Sequence, residues 1–154
     1  MPVVANRLAA LGLVLPPAPA PVASYVPYVR TGHMLTISGQ IPIQEGKPAF
    51  VGKLGQHISV EQGQAAARLV ALALLAQAHA ALDGNLDRIR QVVKLNGFVN
   101  CTPTFTHLSQ VINGASELLV AVLGPAGAHA RAAVGVQSLP LGVAVEIDAV
   151  VEVA

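Results

Sequence analysis

Apolar and polar positions divide the chain into two helical stripes and several strand-like runs. Apolar residues recur at helical spacing from Ser59 to Leu82 and again after Pro103, whereas the apolar residues of 89–100 fall on both faces of a strand. A helix buries one stripe of its surface, and a strand with apolar residues on both faces is typical of the centre of a sheet. The pattern predicts an α+β domain of order β-β-α-β-α-β-β, with two helices packed on one face of a single sheet.

Local signals set the ends of both predicted helices. Ser59 and Gln62 have the spacing of a capping box, and Gly84 is placed to end the first helix. The second helix is expected to end at Gly124-Pro125. Its apolar stripe consists of Leu108, Val111, Ile112, Ala115, Leu118, Leu119 and Val122. In the central strand, the residues expected to be buried on its two faces are Val92, Val93, Leu95, Phe98 and Val99.

Two β-branched and aromatic runs precede the first helix. Residues 24–30 and 33–38 predict strands joined by a turn at Thr31-Gly32, and Pro27 indicates an edge or a bulge. The glycine- and proline-rich residues 40–56 predict a loop with at most a short strand at 49–51.

The stretch from Arg131 to Asp148 carries the candidate chemistry. Two apolar runs separated at Leu139-Pro140 favour two strands around a turn, paired as a simple hairpin. Arg131 offers a planar charged fork that can bind a carboxylate through two hydrogen bonds. Glu146, 15 residues later, is a carboxyl among valines, and burial there can raise its pKa toward the range useful for proton transfer. A surface arginine and a solvent-facing glutamate are the alternative, and their spacing leaves both readings open.

Composition limits the classes of function. Of the 154 residues 53% are apolar and 11% are charged, and the mean hydropathy is +0.60. A domain this apolar is expected to cover surface against copies of itself. Its longest wholly apolar run, residues 69–76, is too short for a membrane span. The net charge of +1 gives no basic footprint, so neither a membrane nor nucleic acid is an expected partner.

Cysteine and histidine give no sign of a metal centre. Cys101 is the single cysteine, which excludes an intramolecular disulfide and is typical of a small core residue. The five histidines are scattered without a close pair at ligand spacing, so no metal site is expected.

The N-terminal lead, residues 1–21, is set apart from a domain of residues 22–154. Residues 5–13 predict a short helix whose leucines could dock on a neighbour, and the prolines that follow predict an extended segment. The one arginine of the lead lies inside its apolar run rather than before it, unlike a signal peptide. A cytoplasmic location is therefore expected.

Several motifs in a fixed order resemble the signature of the reactive-intermediate deaminase family, also called the Rid or YjgF family. The resemblance covers residues 24–153. The motifs are Ser38-Gly39-Gln40-Ile41-Pro42, Asn113-Gly114, Arg131, Leu139-Pro140 and Glu146-Ile147. It implies a chorismate-mutase-like α+β fold, a homotrimer with a cleft at each subunit interface, and last two strands that lie apart in a mixed sheet.

The resemblance also implies a reaction. Enzymatically characterised members hydrolyse 2-imino and enamine acids to 2-keto acids and ammonia without a metal or an organic cofactor. Arg131 would clamp the substrate carboxylate, and Glu146 would hold and polarise the attacking water. The residues that would line or orient the substrate are Tyr25, Ser38, Gly39, Asn113 and, through its main chain, Ala133.

The chain departs from the family pattern at two positions. Ala133 stands where many members have a cysteine, and Ser116 stands where an aromatic residue is common, which implies a wider or more polar pocket. Because a fold does not fix an activity, a non-catalytic module that binds 2-keto acids or other small carboxylates is the alternative function. Ribonuclease activity, also attached to the family name, is disfavoured by the low charge and the few aromatic residues.

Overall fold

A computed structural model describes residues 2–154 as a mixed sheet with helices on one of its faces. The helices are α1 (Val3–Ala10), α2 (Val60–Ala81) and α3 (Leu108–Leu123). The strands are β1 (Tyr28–Thr31), β2 (Met34–Gln40), β3 (Ile43–Gln44), β4 (Lys47–Pro48), β5 (Ile89–Asn100), β6 (Ala130–Val136) and β7 (Val145–Val153). The α+β architecture predicted from the sequence is confirmed, and α1 corresponds to the short helix predicted at residues 5–13, although it begins and ends nearer the N-terminus.

The main sheet has the strand order β1-β2-β7-β5-β6, and β3 and β4 form a separate hairpin. Strand β6 pairs parallel to β5, whereas the other neighbours in the main sheet are antiparallel. The simple hairpin favoured for the last two strands is therefore wrong. Helix α3 carries the chain back so that β6 joins β5 in parallel, as a helical crossover allows, and β5 then separates β6 from β7.

The predicted helix and strand boundaries are largely confirmed. The Ser59 hydroxyl accepts the N–H of Gln62 at 3.1 Å while the Ser59 N–H donates to the Gln62 side chain at 2.9 Å, which completes the capping box. Strand β5 has the predicted bounds. The first strand begins only at Tyr28, after Pro27, and the short strand expected at 49–51 reduces to one bridge between Val51 and Val143.

The core lies between the sheet and helices α2 and α3. Alternate residues of β7 are buried from Val145 to Val153, and Leu35, Leu95 and Val99 come from the neighbouring strands. The opposite face of the sheet has no helix, and Val93 there is 38% exposed while Phe98 is half-buried. Burial of β5 on both faces is thus wrong for a single chain, because only one of its faces is covered.

The start of the chain packs on its own domain. Val4 and Leu8 of α1 are buried in the core cluster, beside α3. The Asp87 carboxylate accepts the N–H groups of Val3 and Val4 at 3.0 and 2.9 Å and thereby caps the helix. The proline-rich segment, residues 16–22, then crosses the surface toward β1 without regular structure. None of the helices in residues 2–154 is long and apolar enough to cross a membrane.

Candidate functional site

Glu146 projects from β7 on the face of the sheet that has no helix. It is half-buried between the buried residues Val145 and Ile147. Burial raises the pKa of its carboxyl, and the nearby Asp148 carboxylate raises it further by repulsion. The side-chain hydrogen bonds of residues 2–154 include none to the Glu146 carboxylate, although Asp148 accepts one from Asn96 at 2.8 Å. Glu146 is therefore available to bind a water or a ligand.

Gly39 makes the space that the Glu146 carboxylate occupies. A Cβ on Gly39 would lie 2.3 Å from Oε2 of Glu146 and 2.9 Å from its carboxyl carbon. The two residues meet at an irregularity in the β2–β7 pairing between Ile37 and Gln40. The glycine of the Ser38-Gly39-Gln40 motif is thus explained by its contact with the carboxyl group of β7.

A cavity of about 710 Å³ lies beside Glu146. Tyr25 and Gly39 also line it, and Tyr25 is 44% exposed. The rest of the lining comes from residues 16–22, Pro27, Gln40, Ile41, Ile43, Glu45, Gly46, Pro48, Leu69, Ala73, Pro140 and Leu141. Three of the expected site residues, Tyr25, Gly39 and Glu146, are therefore brought together in one cavity.

Ser38 supports this cavity from outside. Its hydroxyl donates to the carbonyl of Val26 at 2.7 Å, and its main-chain N–H donates to the carbonyl of Pro27 at 2.9 Å. These bonds hold the segment that carries Tyr25 against β2. Ser38 does not line the cavity, so its hydroxyl positions the wall and does not face a ligand there.

Arg131 is held by the second helix. Its guanidinium donates from Nη1 to Asn113 Oδ1 at 2.8 Å and to Ser116 Oγ at 3.1 Å. Asn113 and Ser116 are three residues apart on α3, so both face β6 from one side of the helix. A second guanidinium nitrogen, Nη2, makes only a long 3.5 Å contact with the Ser109 carbonyl. The fork is therefore fixed on one side and largely open on the other.

His129 completes the support of Arg131. Its Nδ1 lies 2.6 Å from the Gly127 carbonyl, and its Nε2 lies 2.8 Å from Ser116 Oγ. Because a carbonyl only accepts, Nδ1 carries the hydrogen, and in the neutral ring Nε2 accepts from the Ser116 hydroxyl. The Ser116 oxygen is then oriented to accept from Arg131. In the sequence, Ser116 is only a departure from the family pattern, and His129 is only one of five scattered histidines. No sequence signal indicated that the two side chains are in contact.

Ala133 lies on the same side of β6 as Arg131. It packs on the core, and it does not line the cavity beside Glu146. Asn113 likewise contacts Arg131 and not that cavity. The seven expected residues therefore fall into two groups within one chain, one around Glu146 and one around Arg131.

The two groups lie on opposite faces of the sheet. Arg131 pairs with Leu95, which is fully buried on the helix side, whereas Glu146 pairs with Phe98. Paired residues of neighbouring strands share a face, and residues three apart on a strand point to opposite faces. Strand β5 also separates β6 from β7. One chain alone therefore does not present both side chains to one small ligand.

Sequence reasoning also missed the role of the proline-rich segment and of two buried amides. Gln77, 1% exposed, donates from Nε2 to the Pro19 carbonyl at 2.7 Å and to Gln40 Oε1 at 3.3 Å. Nothing in the helical pattern distinguished Gln77 from a solvated glutamine. Within residues 2–154, no group of three or more His, Cys, Asp or Glu is arranged to hold a metal ion.

Comparison with known proteins gives relatives over almost the whole chain. Residues 5–152 match the family model described as "YjgF/chorismate mutase-like, putative endoribonuclease". Protein TCP17 of Trypanosoma cruzi is 52% identical over 150 residues, which are 97% of this chain and 93% of that protein. These matches reach into the N-terminal lead.

Two solved structures share the fold closely. A protein of unknown function from Agrobacterium tumefaciens is 50% identical with a TM-score of 0.93, covering 99% of this chain and 93% of that one. A Shewanella oneidensis protein described as a "putative endoribonuclease" is 35% identical with a TM-score of 0.95, covering 98% of this chain and 99% of that one. The fold, including its first helix, is thus common to these proteins.

Proposed function

Because the chain belongs to the YjgF/chorismate mutase-like family, we propose that it hydrolyses reactive 2-imino and enamine acids to 2-keto acids and ammonia. The observation that carries the proposal is the state of two side chains. The Arg131 guanidinium is held on one side and open on the other, and Glu146 has a raised pKa at the wall of a cavity. A 2-imino acid has one permanent anion to hold and one carbon to present to water. Positioning these two groups supplies much of the rate in such a reaction.

The site is proposed to lie between two copies of the chain in a homotrimer. Arg131 and Glu146 are on opposite faces of the sheet, so a substrate that touches both needs Arg131 from one copy and Glu146 from another. The helix-free face of the sheet exposes Val29, Met34, Val93 and Val134. An apolar sheet face of this kind favours association with further copies.

In the proposed reaction the Glu146 carboxylate accepts a proton as a water oxygen adds to the imine carbon. The C=N electron pair moves to nitrogen, and the proton held by Glu146 passes to that nitrogen to give a neutral carbinolamine. The hydroxyl proton of the carbinolamine is then transferred to nitrogen, the C–N bond breaks with loss of ammonia, and the electron pair of the former O–H bond forms the C=O bond. A carboxyl with a raised pKa is a stronger base than an ordinary glutamate, which suits this step.

A more distant structure with the same fold is consistent with a small amino-acid-like ligand. Escherichia coli TdcF is 24% identical with a TM-score of 0.64, and its structure was determined with bound serine. Serine carries its nitrogen on the carbon next to the carboxylate, the arrangement that a 2-imino acid shares.

A non-catalytic binding module for 2-keto acids is the second candidate. The observation that favours it is the preset Arg131 fork, which suffices to bind a carboxylate without any contribution from Glu146. An endoribonuclease would instead have to bind a polyanion, for which nine Lys and Arg against eight Asp and Glu give little attraction.

The test is release of ammonia and keto acid from freshly generated 2-iminopropanoate and 2-iminobutanoate, above the uncatalysed rate. The proposal expects acceleration by the wild type that is lost in Arg131→Ala and in Glu146→Gln, with Glu146→Gln still binding 2-keto acids. Binding of 2-keto acids by a folded wild type that accelerates neither substrate would establish the second candidate instead.

A further inference from the structure

The proline-rich segment forms one wall of the cavity beside Glu146. Residues 16–22 all line it, and four of them are prolines, which have no N–H to offer a ligand. The side chains of Leu69 and Ala73 on α2 add further apolar surface. A cavity of about 710 Å³ with such walls is suited to hydrocarbon.

Buried hydrogen bonds fix this wall relative to the reacting end of the cavity. Gln77 Nε2 donates to the carbonyl of Pro19, in the middle of the segment, and to Oε1 of Gln40. Gln40 in turn donates from Nε2 to the carbonyl of Ser38, next to Gly39. Both partners of Gln77 Nε2 accept, so the orientation of the Gln77 amide is determined by its neighbours. The proline-rich segment is thus tied to the strand that contacts Glu146.

The beginning of the segment is anchored as well. Helix α1 is capped by Asp87 and buries Val4 and Leu8. Arg7 donates to the carbonyl of Val122 on α3 at 3.4 Å. The segment of residues 16–22 is therefore held at its beginning and in its middle, and this part of the wall has a defined shape before any ligand arrives.

We propose that this cavity is the side-chain subsite of the active site and that the natural substrate is a 2-imino or enamine acid with a large apolar side chain, branched or aromatic. The inference rests on the proposed function. The substrate carboxylate lies on Arg131 of a second copy, the imine carbon lies at Glu146, and the side chain extends along the proline-rich wall. A three-carbon substrate leaves most of the cavity without contact.

The first test compares substrates of different size. Imino acids are generated in place from alanine, leucine and phenylalanine by an amino-acid oxidase, and kcat/KM for ammonia release is measured above background. Each buried methylene is worth about fourfold in binding, so kcat/KM is expected to rise at least about 10-fold from the alanine-derived to the leucine- or phenylalanine-derived imine.

Matched variants locate the preference. Ala20→Glu places a charge on the wall at an exposed position and is expected to remove the preference for large substrates, whereas Ala10→Glu, an exposed alanine of α1 outside the cavity, keeps it. On α2, Leu69→Ala lowers kcat/KM several-fold for the large substrates only. Leu72→Ala, three residues further and away from the cavity, leaves the ratio between substrates unchanged.

Binding of the keto-acid products separates this inference from the proposed function. Calorimetry is expected to show phenylpyruvate bound at least about 10-fold more tightly than pyruvate, with the difference lost in Ala20→Glu. Turnover without size preference overturns the subsite and leaves the deaminase standing. A preference for phenylpyruvate in a protein that turns over none of the imines supports the subsite while the deaminase proposal fails. Equal binding of the two keto acids overturns the subsite in either case.

Discussion

At Gly39 a missing side chain decides where a carboxyl group can lie. The atom that a Cβ would meet first is Oε2 of Glu146, the end of a flexible side chain. We expect Gly39→Ala to push this carboxylate aside while the free energy of unfolding changes by no more than about 1 kcal/mol. Displacement of a reacting group by about 1 Å can cost on the order of 10²-fold in rate.

The measurements for Gly39→Ala are kcat/KM for imine hydrolysis and urea unfolding of the same preparations. In a Glu146→Ala background the added methyl group has no carboxylate to displace, so any loss of unfolding free energy that Gly39→Ala causes in the wild type should disappear there. Full activity in the single variant would show that the position of the Glu146 carboxylate does not limit the reaction.

Asp148 offers a way to move the pKa of Glu146 without touching it. Burial is the larger cause of the raised pKa of Glu146, and repulsion by Asp148 is the smaller one. Asp148→Asn should therefore lower the pKa of Glu146. Because the carboxylate is the active form in the proposed mechanism, the acid limb of the kcat/KM profile should shift to lower pH. An asparagine oxygen can still accept from Asn96, which keeps the local hydrogen bond. An unmoved limb would assign it to another group.

The raised pKa of Glu146 also predicts how the stability of the folded protein changes with pH. The folded state holds the Glu146 proton more tightly than the unfolded chain does, so its contribution is present at low pH and is lost as pH rises through the folded-state pKa. Glu146→Gln should therefore match the wild type at low pH and be the more stable protein at neutral pH. Urea unfolding at both pH values measures the difference.

At the scale of secondary-structure elements, side chains of α3 hold Arg131 of β6 in position to bind a ligand. Ser116 accepts from Arg131 and is itself oriented by His129. Ser116→Ala should raise KM by about fivefold with little change in kcat, since it loosens a charge-assisted bond worth about 1 kcal/mol at a partly exposed site. Ser109→Ala is the matched control, because only the main-chain carbonyl of Ser109 contacts Arg131. Equal KM values for the two variants would contradict this support.

Elements whose signals are local were predictable from the sequence, and pairings between distant elements were not. The capping box at Ser59, the bounds of β5 and the stripe of α3 depend on residues close in the chain. The place of β7 between β2 and β5 depends on which strands meet in space, and alternation along β7 is the same for any neighbour.

The same contrast between local signals and contacts of distant residues holds for the candidate site. The residues around Arg131 and Glu146 could be named from motifs, but the face of the sheet on which each lies follows from strand register. The Gln77 contact with Pro19 joins residues 58 positions apart, and the cavity wall that it fixes had no sequence signal beyond a run of prolines. Motifs could therefore suggest candidate residues, whereas their grouping in space required the structure.

At the scale of the whole molecule, the strand register predicts that each site is shared by two copies of the chain, and this can be tested. If Arg131 and Glu146 act on one substrate only across two copies, then Arg131→Ala and Glu146→Gln damage different partners of each site. Chains of the two variants, each inactive alone, should restore activity when co-expressed in equal amounts and purified through a tag common to both chains, without selection for mixed assemblies. In a cyclic trimer with random mixing, about one site in four combines an intact Arg131 with an intact Glu146, so about a quarter of the wild-type kcat per site is expected.

The control for this mixture is the double variant Arg131→Ala/Glu146→Gln co-expressed with the wild type. There every intact site needs two wild-type neighbours, so about a quarter of the activity is expected again, and the comparison corrects for any cost of mixing itself. A site contained in one chain predicts a different pair of results. The two single variants would restore nothing, because each chain keeps its own defect, while the wild-type mixture would retain about half of its activity. The two mixtures together therefore distinguish a site shared by two chains from a site contained in one chain, without a structure of the assembly.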